Sequence, residues 1–194
     1  GRESLAREDD LIEMWMGEKK LFLPDWGCSG PEDKMLTDSI ILFAIDSQWY
    51  MEDWDEQEDF NKDCDYTSRS EFLTKLKDEV SKHQDKIILL ALHHPLRSVG
   101  PHDGNAGLKQ ELFPFTELAD WAYIPLPVVA GMLRRNIGIS QDLSNPRYRN
   151  LIRDIYDATG GRENVIIIAG HEHTLQYFEG QEHPHIVSGA GSKR

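Results

Sequence analysis

Three uninterrupted apolar runs constrain this fold more than any other feature. Ile40 to Ile45 reads IILFAI, Ile87 to Leu92 reads IILLAL, and Val165 to Ala169 reads VIIIA. Each is the length of a strand and too short for a core helix, and each ends abruptly in polar residues or glycine. Continuous rather than alternating hydrophobicity predicts strands covered on both faces, as in α/β proteins. A weaker fourth strand, His185 to Val187, runs into the glycine-rich SGAGS.

Helical patterns lie between these runs. Ser68-x-x-Glu71 has the form of a capping box, with Phe72, Leu73, Leu76 and Val80 following at helical spacing. This predicts a helix over about Ser70 to Lys82. Asn145 is placed to cap a second helix with Pro146 at its first position, and Gly160 is placed to close it. Tyr148, Leu151, Ile152, Ile155 and Tyr156 form its apolar face. Strand, helix, strand, helix, strand is the order of an α/β layer architecture. Pro101 to Ser144 shows no clean period and reads as a functional loop or insertion. The acidic stretch Glu52 to Asp65, with eight carboxylates, reads as a solvated loop.

Composition excludes several classes of function. With 194 residues and a net charge of −13, the chain suits one domain and lacks the basic stripe of a nucleic-acid backbone binder. The longest uncharged apolar stretch, Tyr123 to Leu133, is interrupted by two prolines and is too short to span a bilayer. Cys28 and Cys64 form no CxxC pair, so a thiolate zinc site is disfavoured. Two buried free thiols and one disulfide are equally compatible with their spacing; a disulfide would imply an extracytoplasmic compartment.

Three of the eight histidines are placed for chemistry. His93 ends one buried strand, and His171 and His173 stand just past another. Ligands of open α/β sheets collect beyond the carboxyl ends of strands. Gly170 would let the backbone turn sharply. In an extended Gly-His-Glu-His segment the two imidazoles would share one side and Glu172 would face the other. Neutral imidazoles so placed suit a metal ion. There is no HExxH, and the His-x-Glu of the deaminases would need a later PCxxC that is absent. His83 reads as the cation-friendly end of a helix, while His183 and His185 read as surface residues.

LLALHHPLRSVGPHDG and IIIAGHEHTLQYFEG resemble the two C-terminal signatures of the calcineurin-like metallophosphoesterases, which include the purple acid phosphatases. FLPDWGCSGPE, IDSQWYMEDWD, IPLPVVAG, QDLSNPRY and HIVSGAGSK resemble a bacterial, extracytoplasmic subgroup. The resemblance implies a two-sheet αββα sandwich, here incomplete, with residues 1–194 as the C-terminal portion of a single domain. It implies hydrolysis of a small phosphorylated substrate by a hydroxide activated between two metal ions drawn from Fe, Mn or Zn. By resemblance His93 and His171 hold one ion and His173 the other. His102 lies near the substrate, to hydrogen-bond the phosphate or protonate the leaving oxygen, and His94 supports the ligands.

The family's first three motifs, DxH, GD and GNH, are absent, so the chain is expected to be a member cut after the third and inactive alone. Two divalent ions ~3.5 Å apart repel by roughly 19 kcal/mol at an effective dielectric of 20. Three neutral imidazoles offset none of that, and would hold one ion weakly. The alternatives are a binding or scaffold domain that kept the fold, and a mononuclear zinc hydrolase using His93, His171 and His173.

Overall fold

The computed structural model describes residues 2–17, 21–56, 61–99, 143, 145–179, 183–189 and 191. The described elements are α1 (Arg2–Met16), β1 (Glu32–Thr37), β2 (Ile40–Ala44), α2 (Ser47–Met51), α3 (Arg69–Lys82), β3 (Ile87–Leu92), α4 (Pro146–Thr159), β4 (Val165–Ala169), β5 (Leu175–Phe178) and β6 (His185–Ser188). Together they form a mixed α/β structure built on one six-stranded sheet, in the order β1-β2-β3-β4-β6-β5. The central strands β2, β3, β4 and β6 are parallel, and β1 and β5 close the edges antiparallel.

The helices begin and end where local chemistry requires. The Ser68 hydroxyl accepts the Glu71 N–H, while the Glu71 carboxylate reaches back to the Thr67 N–H, one residue before the usual capping-box partner. Asn145 caps α4 through the Arg147 N–H, and Gly160 closes it in the left-handed conformation at φ 63°.

All four expected strands are present, and among the described residues the three apolar runs have one fully buried face and one half-buried face rather than two fully covered ones. Ile41, Phe43, Ile88, Leu90, Val165 and Ile167 are fully buried against Phe72, Leu76 and Val80 of α3 and Tyr148, Leu151 and Ile155 of α4. Their neighbours on the opposite face, Leu42, Leu89, Ile166 and Ile168, are half-buried. The reason is that α2, α3 and α4 all contribute to a core on one side of the sheet.

The other departures are local. The charged start of the chain is helical as α1, and the strands β1 and β5 were not expected. The burial of β1, with Met35 and Leu36 about half exposed, is that of an open edge strand, which carries little apolar signal. Cys28 and Cys64 form a disulfide, which resolves the open alternative. Within the acidic stretch Asp53 is not simply solvated: it pairs with Arg69 of α3 and with Arg147 of α4. His183 and His185 are buried rather than on the surface. The His183 Nδ1 donates to the Arg162 carbonyl, and its Nε2 pairs with the Thr159 hydroxyl at 2.7 Å. Apart from Leu143, the Pro101 to Ser144 segment lies outside the described residues, and His102 with it.

Candidate metal centre

β3 and β4 are adjacent and parallel, with Leu92 level with Ala169, so the residues that follow them emerge side by side. The Gly170 N–H donates to the His93 carbonyl at 3.1 Å, which locks the two exits together. As a result the His171 Nδ1 stands 3.1 Å from the His93 Nε2. The buried ring of His94 completes the group: one nitrogen from each of His93, His94 and His171 lies within 4.8 Å of the others.

The sharp turn falls on a different residue from the one expected. Gly170 has no positive φ; His171 does, at 65°, and the Glu172 N–H closes onto the Gly170 carbonyl at 2.7 Å. This is a γ-turn of the rare hand, a strained conformation for a residue with a side chain. It departs from the extended arrangement, and Glu172 is buried while His173 is exposed. His173 is not part of the three-histidine group.

Neighbouring elements hold the three imidazoles in place. The Ser47 hydroxyl, at the start of α2, accepts the His94 backbone N–H at 3.1 Å and stands 2.8 Å from its Nδ1. Tyr148 of α4 donates its hydroxyl to the Pro95 carbonyl at 2.7 Å and packs edge-on against the His94 ring. Burial pushes the Tyr148 phenol up, and the Glu172 charge adds to it. On the other side, a β-carbon at Gly189 would fall 1.9 Å from the Glu172 carbonyl oxygen. Gly189 thus sets the position of the GHEH turn. Motif reading missed Ser47, Tyr148 and Gly189; the glycines of SGAGS were the available signal for the last.

The donor set fits a metal. The His93–His171 nitrogen separation of 3.1 Å is near the ~3.3 Å edge of a tetrahedron with metal–nitrogen bonds of about 2.0–2.1 Å. Although His93 is exposed as a residue, desolvation holds its imidazole below the usual histidine range, favouring the neutral ligand form.

A cavity of about 570 Å³ opens beside the group, with His93 in its wall together with Leu5, Phe22, Leu23, Trp54 and Asp46. Asp46 ends the β2 run and caps α2 through the Gln48 and Trp49 N–H groups. Burial raises its pKa against those two bonds, and its Oδ2 has no partner.

No family model matches the chain, and no curated protein matches it. Among solved structures it is similar to the one titled "GAP50 the anchor in the inner membrane complex of Plasmodium", at 15% identity and a TM-score of 0.40. The alignment covers 83% of this chain and 36% of that one, so the chain spans about a third of that protein's length.

Proposed function

We propose that this chain is the C-terminal portion of a metal-dependent phosphoester hydrolase of the calcineurin-like type, whose complete fold is the two-sheet sandwich. The observation that carries the reading is the 3.1 Å approach of the His93 and His171 imidazoles, from two motifs 78 residues apart, at the ends of neighbouring parallel strands. His93 and His171 would hold one ion drawn from Fe, Mn or Zn, with His94 beside them, and His173 would serve a second ion. Bound metal supplies Lewis acidity toward a phosphoryl oxygen and lowers the pKa of a coordinated water. The protein's own part is to keep these rings neutral and fixed. Ser47 orients His94, Tyr148 pins the His-His-Pro turn through Pro95, and Gly189 supports the turn that carries His171. His102 is assigned to the leaving group of a small phosphorylated substrate.

The Cys28–Cys64 disulfide supports an extracytoplasmic setting. No helix among the described residues is long and apolar enough to cross a membrane.

A specific observation favours a second reading, a mononuclear zinc site: His94 rather than His173 completes the group of three imidazoles. One experiment addresses both, zinc and manganese titration followed by hydrolysis of p-nitrophenyl phosphate. The expected result is binding of about one ion, lost in His171→Ala, with negligible turnover by this chain alone. Absence of metal binding overturns both readings. Robust metal-dependent turnover overturns the partial-domain reading in favour of the second.

A further inference from the structure

The strand β5 alternates in burial: Leu175 and Tyr177 are exposed, while Gln176 and Phe178 are half-buried. Both half-buried residues contact the segment that follows the His-His-Pro turn. The Arg97 guanidinium lies over the Phe178 ring, 5.1 Å from its centroid. The Gln176 Oε1 accepts the Val99 N–H at 2.8 Å, and its Nε2 donates to the Thr174 hydroxyl at 2.6 Å. The sense of this amide follows from its partner, because a backbone N–H can only donate and must meet the oxygen.

Gln176 thereby closes a frame around the imidazole group. At one end of the frame the Gly170 N–H donates to the His93 carbonyl at 3.1 Å. At the other end the Gln176 side chain takes the Val99 N–H. The candidate ligands all lie on the two arcs between these links, His93 and His94 on His93–Val99, His171 and His173 on Gly170–Gln176. Thr174, which receives the amide, is itself held: its N–H donates to the Glu172 carbonyl at 2.8 Å, and its carbonyl accepts the Gly189 N–H at 3.3 Å. One amide therefore reaches from the His-His-Pro arc to the turn that carries His171 and, through Gly189, to β6.

We propose that Gln176 is a positioning residue for the metal centre, which keeps the two histidine-bearing arcs in register so that His93 and His171 can share one ion. The inference rests on the metal-centre reading above, but concerns a residue that donates nothing to the ion. Its effect is preorganisation. Arcs tied at both ends hold their imidazoles close before the ion arrives, whereas arcs free at the outer end spend part of the binding free energy on ordering themselves. Groups that orient ligands from outside the coordination sphere typically change metal affinity by about 10–100-fold.

The test is zinc titration together with the absorption spectrum of bound Co²⁺, whose bands report the coordination geometry directly. Gln176→Met keeps the length of the side chain and loses both hydrogen bonds; it is expected to weaken zinc binding at least about tenfold and to alter the Co²⁺ spectrum. Gln176→Glu keeps an acceptor for the Val99 N–H, and the Thr174 hydroxyl can reverse and donate to it, so the wild-type spectrum should return. Val99→Pro removes the same bond from its other end. Combined with Gln176→Met it should weaken binding no further than either change alone, because both delete one interaction. Val99 is 70% exposed, so Val99→Ala should leave affinity and spectrum unchanged. Circular dichroism checks folding, and Val99→Pro with Gln176→Glu decides the matter if Gln176→Met does not fold. Unchanged zinc affinity and an unchanged Co²⁺ spectrum in the folded variants that lack the bond overturn the proposal and leave the metal-centre reading standing. Failure of the unaltered chain to bind zinc overturns that reading, and this proposal with it.

Discussion

The His171 Nδ1 lies 3.1 Å from the His93 Nε2, although 78 residues separate the two in sequence. Besides the hydrogen bond between the rings, two backbone hydrogen bonds maintain the relationship. One links the Gly170 N–H to the His93 carbonyl, and the other closes the γ-turn that gives His171 its positive φ. The contact therefore depends on the backbone of both strand exits as much as on the rings.

Ser47 provides a way to test how much ring orientation matters. It stands 2.8 Å from the Nδ1 of His94 and also accepts the His94 backbone N–H. Groups of this kind fix imidazole orientation, and losing one typically weakens metal binding about 10–100-fold. Ser47→Ala is expected to lower zinc affinity within that range, measured by isothermal titration.

Gly189 tests the support beneath the turn. Its α-carbon packs so closely on Glu172 that Gly189→Ala must displace one of two backbone segments. The obstacle is main-chain carbonyl rather than a flexible side-chain tip, so overpacking of about 1–3 kcal/mol is expected. Denaturant unfolding should register that loss, and zinc titration should show weakened binding as His171 moves.

Tyr148→Phe removes one oxygen and leaves the buried Pro95 carbonyl without the hydroxyl that now donates to it. The expected loss is about 1–3 kcal/mol of stability by chemical denaturation. His94 keeps its Ser47 contacts, so zinc affinity should fall less than in Ser47→Ala.

His185 should make stability pH-dependent. It is fully buried on β6, neither ring nitrogen has a hydrogen-bond partner, and burial pushes its pKa down to about 4, with smaller contributions from the charges of Arg97 and His183. Its folded pKa lies below the unfolded value of about 6.5. Between these values the unfolded chain binds the extra proton, so stability falls as pH drops from about 6.5 to about 4. The loss is on the order of 3 kcal/mol. His185→Leu should flatten this part of the stability profile, followed by thermal unfolding across the pH range.

Much of the sheet was legible because its signals are local. The runs at Ile40, Ile87 and Val165 specify strands through their own composition. Ser68, Asn145 and Gly160 mark helix ends through bonds or backbone conformations within a few residues. The HHP and GHEH segments could be placed at strand ends on the same basis. By contrast, β1 was not legible, because its edge position leaves it largely exposed and without an apolar run.

The sequence by itself therefore determined which segments become the central strands and their two flanking helices, and that histidines follow two of those strands. Tertiary structure decided that β3 lies beside β4, that Cys28 meets Cys64, that His183 and His185 are buried, and that α2, α3 and α4 share one core with the sheet. It also decided that His94 joins the group and that Gly189 abuts Glu172. The physical reason is range. Propensity and capping act over about one helical turn, whereas strand pairing and close packing depend on segments whose separation along the chain carries no signal of their contact.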